Sequence, residues 1–142
     1  MAKLRHYLQF KDLSRDEIDH LFERTRWIKD KFKRYEAYHP LHDRTLVMIF
    51  EKASTRTRVS FDVAMQELGG HAIYLSQAEV GLGQREPVSD IARVLSRYVD
   101  VIAARTYEHR TLLDLARHAG VPVINALSDE EHPCQAMADL LT

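Results

Sequence analysis

The chain has 142 residues, enough for one domain with its own core and not comfortably for two. Lys and Arg number 20 against 21 Asp and Glu, a net charge of -1, which removes bulk charge as a reason to bind nucleic acid. A single cysteine, Cys134, forbids an intrachain disulfide and suits a reducing compartment. No apolar run approaches the roughly 20 residues of a membrane span. Met1 to His6 carries no signal-peptide core, so a cytoplasmic location is expected.

Taken in order, residues 1–13 read as an irregular lead-in. Ser14-Arg-Asp-Glu17 has the form of a capping box. Ile18, Leu21, Phe22, Thr25, Ile28 and Phe32 then recur at helical spacing, which predicts a long helix over about 14–34. Its Lys29, Lys31, Lys33 and Arg34 read as a solvated face. Tyr38-His-Pro40 breaks the pattern. His39 and His42 are close in sequence, but no Cys or carboxylate cluster joins them to make a metal site. Leu46 to Phe50 is continuously apolar, as a strand covered on both faces requires. An amphipathic helix over about 55–68 stops at Gly69-Gly70. His71 to Leu75 predicts a second strand and residues 76–87 a polar loop. Pro87 is expected as the first residue of the next helix, with Val88, Ile91, Val94, Leu95 and Tyr98 on one face. Val101 to Ala104, ending at Arg105, predicts a third strand, and a helix over about 109–119 stops at Gly120. Val121 to Ile124 is the fourth strand, with Pro122 arguing for a sheet edge or a late start. Residues 125–131 read as a loop, after which His132-Pro-Cys-Gln135 opens a last helix through Leu141.

Strands alternating with helices predict an α/β fold: a four-stranded parallel sheet with helices on both faces, three layers α/β/α. Ligands of such sheets bind beyond the carboxyl ends of the strands. The polar residues fall there: Ser54-Thr-Arg-Thr-Arg58 after strand one, the 76–87 loop after strand two, Arg105 after strand three, and His132 with Gln135 after strand four. The first cluster opens a helix, whose free N–H groups and positive dipole end already attract anions. Arg56 and the flanking hydroxyls strengthen that site for a phosphate or a carboxylate. Arg105 is a second fixed cation, His132 can direct an N–H at a carbonyl oxygen, and Gln135 offers both donor and acceptor. Cys134 reads as a packed thiol, because neighbouring helix residues point in different directions and cannot form a dyad. Gly81-Leu-Gly83 lacks the third glycine of G-x-G-x-x-G, and no P-loop motif is present.

Phe50-Glu-Lys-Ala-Ser-Thr-Arg-Thr-Arg-Val-Ser-Phe61, followed by Leu68-Gly-Gly70 and His132-Pro-Cys-Gln135, resembles the carbamoyl-phosphate domain of the aspartate/ornithine carbamoyltransferases. The resemblance covers nearly the whole chain. Phe50 to Lys52, Val59 to Phe61, Ala92 to Ser96 and Asn125 to Asp129 are similar to the ornithine branch. It implies transfer of a carbamoyl group to ornithine, giving citrulline and phosphate in arginine metabolism. The alternatives are an aspartate, putrescine or acylated-ornithine acceptor, or a non-catalytic phosphate-binding or trimer-forming module.

Residue by residue, the resemblance implies that Ser54, Thr55, Arg56 and Thr57 hold the phosphate. It implies that Thr57, Arg105 and His132 polarise the carbamoyl oxygen, that Gln135 meets the carbamoyl amide, and that Pro133 and Cys134 are among the residues that bind carbamoyl phosphate. Arg58 is expected to be structural, pairing within the domain. Many ornithine enzymes carry, after strand two, a glutamine that reaches a neighbouring subunit's site; the matching position is Gly81, with Gln84 and Arg85 close enough to substitute. The resemblance also implies a homotrimer through this domain, no cofactor or metal, and a second domain that binds the amino acid and touches Glu51. Residues 1–142 are thus expected to be the carbamoyl-phosphate half alone, binding its ligand with little or no turnover and leaving Glu51 solvated.

Overall fold

In the computed structural model, which describes residues 3–142, Thr45–Phe50 forms β1 in the interior of a four-stranded sheet. Its neighbours are β2 (His71–Ser76) and β3 (Val101–Arg105), with β4 (Val123–Leu127) beyond β3. The order is β2-β1-β3-β4 and every adjacent pair is parallel. Six helices accompany it among the described residues: α1 (Arg15–Lys33), α2 (Thr55–Glu67), α3 (Gln77–Val80), α4 (Val88–Leu95), α5 (His109–His118) and α6 (Pro133–Leu141). The expected three-layer α/β/α domain is present.

Side chains alternate across a strand, so an unbroken apolar run must face two cores. Leu46, Met48 and Phe50 pack with Met65 and Phe61 of α2 on one face. Val47 and Ile49 pack with Ile91 and Ala92 of α4 and with Leu112, Leu115 and Ala116 of α5 on the other. None of Leu46 to Phe50 is more than 2% exposed. Each such side chain stabilises by about 1.5–3 kcal/mol. Exposed ion pairs such as Arg15–Asp19 and Arg34–Asp30 contribute about 0.2–1 kcal/mol each, so the two apolar layers decide the fold.

α1 starts as expected: Ser14 N–H donates to Glu17 Oε2 at 2.8 Å while Glu17 N–H donates to Ser14 Oγ. α2 ends where Gly69 turns into the left-handed region at φ +86. At Gly70 a Cβ would stand 2.5 Å from Met65 Cε and 3.0 Å from the Arg44 carbonyl, so a side chain there would push the methionine aside.

Four expectations change. The 76–87 segment is not an open loop: it holds the short α3, and Leu82 is buried in the core. Pro87 caps α4 rather than starting it, and the helix ends at Leu95, leaving Tyr98 outside and exposed. β4 begins late, at Val123, and lies at the sheet edge as Pro122 suggested, but it runs through Asn125 to Leu127 instead of ending at Ile124. Part of the lead-in is structured. Tyr7 pairs in parallel with Ile124, its N–H donating to the Val123 carbonyl and its carbonyl accepting from Asn125 N–H, both at 2.8 Å. A 3-10 turn then spans Phe10–Asp12. One bridging residue leaves no period to read in the sequence. Met1 and Ala2 of that lead-in lie outside the described residues.

Candidate active site at the carboxyl rim of the sheet

β1, β3 and β4 deliver the polar residues to one rim. Ser54 caps α2 with extended backbone, accepting from Thr57 N–H at 3.4 Å and donating to Thr57 Oγ1 at 3.0 Å. Arg105, the last residue of β3, donates from Nη1 to Thr57 Oγ1 at 3.5 Å. The α2 start and the β3 end are therefore joined through one hydroxyl. A cavity of about 260 Å³ opens beside them, lined by Arg56, Thr57 and Ser60 from α2 and by His132, Cys134 and Gln135 from the α6 start. The guanidinium-bearing helix N-terminus and the imidazole thus share one concave site, as expected. Thr55 stands exposed at the first turn of the same helix.

Three buried polar atoms have no hydrogen-bond partner among the described residues: Gln77 Oε1 just after β2, and, at the β3 end and the α6 start, Arg105 Nε and His132 Nδ1. Buried polar groups are normally satisfied, and an exception calls for a specific partner such as water, an ion or a ligand. His132 has its pKa lowered from 6.5, first by burial and second by the Arg105 charge, with Asp139 opposing. The ring is therefore held neutral over a wider pH range, with one nitrogen protonated as a hydrogen-bond donor. Arg56 is exposed and makes no hydrogen bond or ion pair among the described residues. Its charge is free for an anion, and with the α2 dipole it defines a positive end to the cavity.

The remaining residues divide. Pro133 is buried at the first turn of α6. Cys134 is a packed thiol: Sγ lies 3.5 Å from the Asn125 carbonyl, and burial pushes its pKa up to about 11. Gln135 lines the cavity, yet its amide donates to Asp139 at 2.8 Å, so it must turn to meet a ligand. Arg58 pairs within the domain by stacking over the Tyr74 ring, 3.9 Å from its centroid. A guanidinium over an aromatic face needs no carboxylate. Glu51 is half-buried, and its carboxylate accepts from Tyr107 N–H at 2.7 Å. Gly81 ends α3 at φ +61, and a Cβ there would lie 2.7 Å from Arg85 Cγ. Arg85 thus fills the space that a side chain at 81 would need, while Gln84 stands exposed beside it. His42 pairs with Asp43 at 2.9 Å, and among the described residues no group of three or more His, Cys, Asp or Glu is placed to hold a metal. No helix among them is long and apolar enough to cross a membrane.

Sequence reasoning missed the support behind His132. Asn125, Ser128 and His109 are buried polar residues packed around the β4–α6 connection. A polar loop in the sequence gives no sign that it will be enclosed.

An α/β/α sheet with a helix N-terminus, two arginines and an imidazole at one rim defines a domain with an anion-attracting site at the carboxyl ends of its strands. Residues 5–142 match the family described as the aspartate/ornithine carbamoyltransferase, carbamoyl-P binding domain. The chain is 63% identical over its whole length to the ornithine carbamoyltransferase of Aromatoleum aromaticum, covering 46% of that protein. Among solved structures, the ornithine carbamoyltransferase of Burkholderia thailandensis superposes with a TM-score of 0.94 at 54% identity, over 97% of this chain and 48% of that one. The enzyme from Pyrococcus furiosus gives 0.94 at 50% identity, over 96% and 44%. The chain belongs to the aspartate/ornithine carbamoyltransferase family, within its carbamoyl-phosphate binding domain, and spans about half the length of the relatives it matches.

Proposed function

We propose that the chain is the carbamoyl-phosphate-binding half of an ornithine carbamoyltransferase, making citrulline and phosphate from carbamoyl phosphate and ornithine in cytoplasmic arginine metabolism. The observation that carries this is the pair of partnerless buried nitrogens, Arg105 Nε and His132 Nδ1, beside the α2 N-terminus. An acyl phosphate needs charge at one end and polarisation at the other. Ser54, Thr55, Arg56 and Thr57 take the phosphate oxygens. Thr57 Oγ1, Arg105 and the neutral His132 donate to the carbamoyl oxygen, and Gln135 takes the carbamoyl amide once it leaves Asp139. As the acceptor amine attacks the carbamoyl carbon, negative charge builds on that oxygen. Preorganised donors stabilise it where it forms, and Arg56 stabilises the departing phosphate. Turnover needs an acceptor pocket as well, which the family resemblance assigns to a second domain; the 142 residues on their own should bind carbamoyl phosphate and form little or no citrulline.

The same reading makes the domain the trimerising one. There the loop after α3 faces a neighbouring subunit, with Arg85 or Gln84 serving in place of a residue 81 side chain. The left-handed Gly81 and the packed Arg85 stem support that exchange. Calorimetry on the chain tests the assignment. Carbamoyl phosphate should bind more tightly than inorganic phosphate, and Arg56→Ala should weaken both. A mutant that binds as tightly as its parent would falsify the site, and light scattering that finds only monomer would remove the trimer.

A further inference from the structure

Behind His132 lies a buried polar network that the proposed chemistry leaves unused. The β3–β4 register slips at the rim: Ala104 faces Asn125 but Arg105 faces Leu127, so Ala126 is the extra residue of a bulge. Leu127 takes φ +153, which L residues rarely adopt. The Asn125 side chain, 0% exposed, holds this distortion. Its Oδ1 accepts from Leu127 N–H at 2.9 Å, and its Nδ2 donates to the Leu8 carbonyl at 2.9 Å and the Glu131 carbonyl at 3.2 Å.

The Glu131 carbonyl belongs to the peptide that enters His132. It also accepts from Ser128 N–H at 3.0 Å and from the Ser128 hydroxyl at 3.4 Å. The hydroxyl is held in turn by His109, the first residue of α5 and 2% exposed, whose Nδ1 lies 2.7 Å away. Gln9 Nε2, which only donates, lies 3.3 Å from His109 Nε2. Glu130 Oε2 is farther, at 3.9 Å, and the Ser128 hydroxyl already donates to the Glu131 carbonyl, so the ring proton is assigned to Nδ1 and donated to Ser128. Asp129 and Glu131 are tied down as well: Asp129 accepts from His109 N–H at 2.7 Å and the Glu131 carboxylate from Phe10 N–H at 2.9 Å.

His132 itself has little to orient it locally. It precedes Pro133, caps α6 with non-helical backbone, and its own Nδ1 is partnerless. We propose that Asn125 and His109 are positioning residues. Through Ser128 and the Glu131 carbonyl they fix the peptide plane before His132 and so aim its imidazole into the cavity, with Gln9 of the lead-in closing the network. The ligand assumed is the one proposed above, and the claim rests on that reading for the carbamoyl end only. Hydrogen bonds that orient metal-ligating histidines alter affinity or activity about tenfold or more when removed, and the same order is expected where they orient a hydrogen-bonding one.

The test uses the chain labelled with 15N-histidine, as parent, His109→Leu, His109→Asn and Gln9→Ala. His109→Asn keeps a donor near the place of Nδ1. Two-bond 1H–15N spectra report the His132 ring, and calorimetry reports affinities for carbamoyl phosphate and inorganic phosphate. His109→Leu should move the His132 ring signals. It should also lower the preference for carbamoyl phosphate over phosphate about tenfold, leaving phosphate affinity within about twofold. His109→Asn should recover most of the preference, and Gln9→Ala should shift both readouts the same way by less. A purely structural role would lower the Tm and move neither. Parent-like His132 signals and an unchanged preference in His109→Leu and Gln9→Ala overturn the proposal; if His109→Leu does not fold, Gln9→Ala decides it. If the parent shows no preference for carbamoyl phosphate, the proposed function fails, and the His132 ring signals still decide the positioning claim.

Discussion

On the α2 side of the site, five polar residues in a row, Ser54 to Arg58, are placed by one helix start and stand largely open to solvent. On the β4–α6 side a single imidazole is placed by groups as distant in sequence as Tyr7, whose hydroxyl donates to the Pro133 carbonyl 126 residues away. The first side is local and charged; the second is long-range, buried and mostly neutral. The contrast separates binding from fold. Losing a group on the open side removes ligand contacts and leaves the core alone. Losing one on the buried side strands polar atoms that water cannot reach.

Asn125→Leu tests that contrast most severely. It leaves Leu127 N–H and the Leu8 carbonyl without their partner inside the fold, at about 1–3 kcal/mol each. Chemical denaturation should show a loss of about 3 kcal/mol or more; a loss under about 0.5 kcal/mol would mean that the network is decoration. Arg56→Ala should do the reverse. A charge-assisted hydrogen bond contributes about 1.5–3 kcal/mol, so anion affinity should fall roughly 10- to 100-fold while stability stays within about 0.5 kcal/mol. Equal effects on Tm and affinity would erase the distinction. Ser54→Ala lies between, because the residue both caps α2 and faces the ligand. It should cost about 1 kcal/mol of stability and also weaken phosphate binding.

Acid sharpens the comparison further. His132 and His6 both lie below the ordinary 6.5, burial being the first cause in each. The unfolded chain therefore binds protons more readily than the folded one. Stability is complete above about 6.5 and falls as pH drops through that value toward the depressed ones. A bound dianion beside His132 raises its pKa, so saturating carbamoyl phosphate should flatten the acid loss. Melting curves from pH 7.5 to 5.5, with and without ligand, would show it; identical slopes would place the anion elsewhere.

The likeness between expectation and structure follows the same line. Thr45–Phe50 is legible as a doubly covered strand because period and burial are both written in consecutive residues. Ser54 to Arg58 is legible because a cap, a dipole and two cations need only neighbours in sequence. The partners of Arg58 and Glu51, Tyr74 and Tyr107, were not legible, since each lies on another part of the chain. The 76–87 segment was misjudged because the burial of Leu82 depends on what covers it.

The order of apolar runs by itself determined four parallel strands and the rim where their polar ends meet, because side-chain period and helix caps are properties of short stretches. Only the tertiary structure decided which loops are enclosed, that Tyr7 to Phe10 closes the β4 edge, and that Asn125 and His109 stand behind His132. A polar residue reads the same in solvent and in a core until the surrounding chain removes the water and leaves its hydrogen bonds to be found inside.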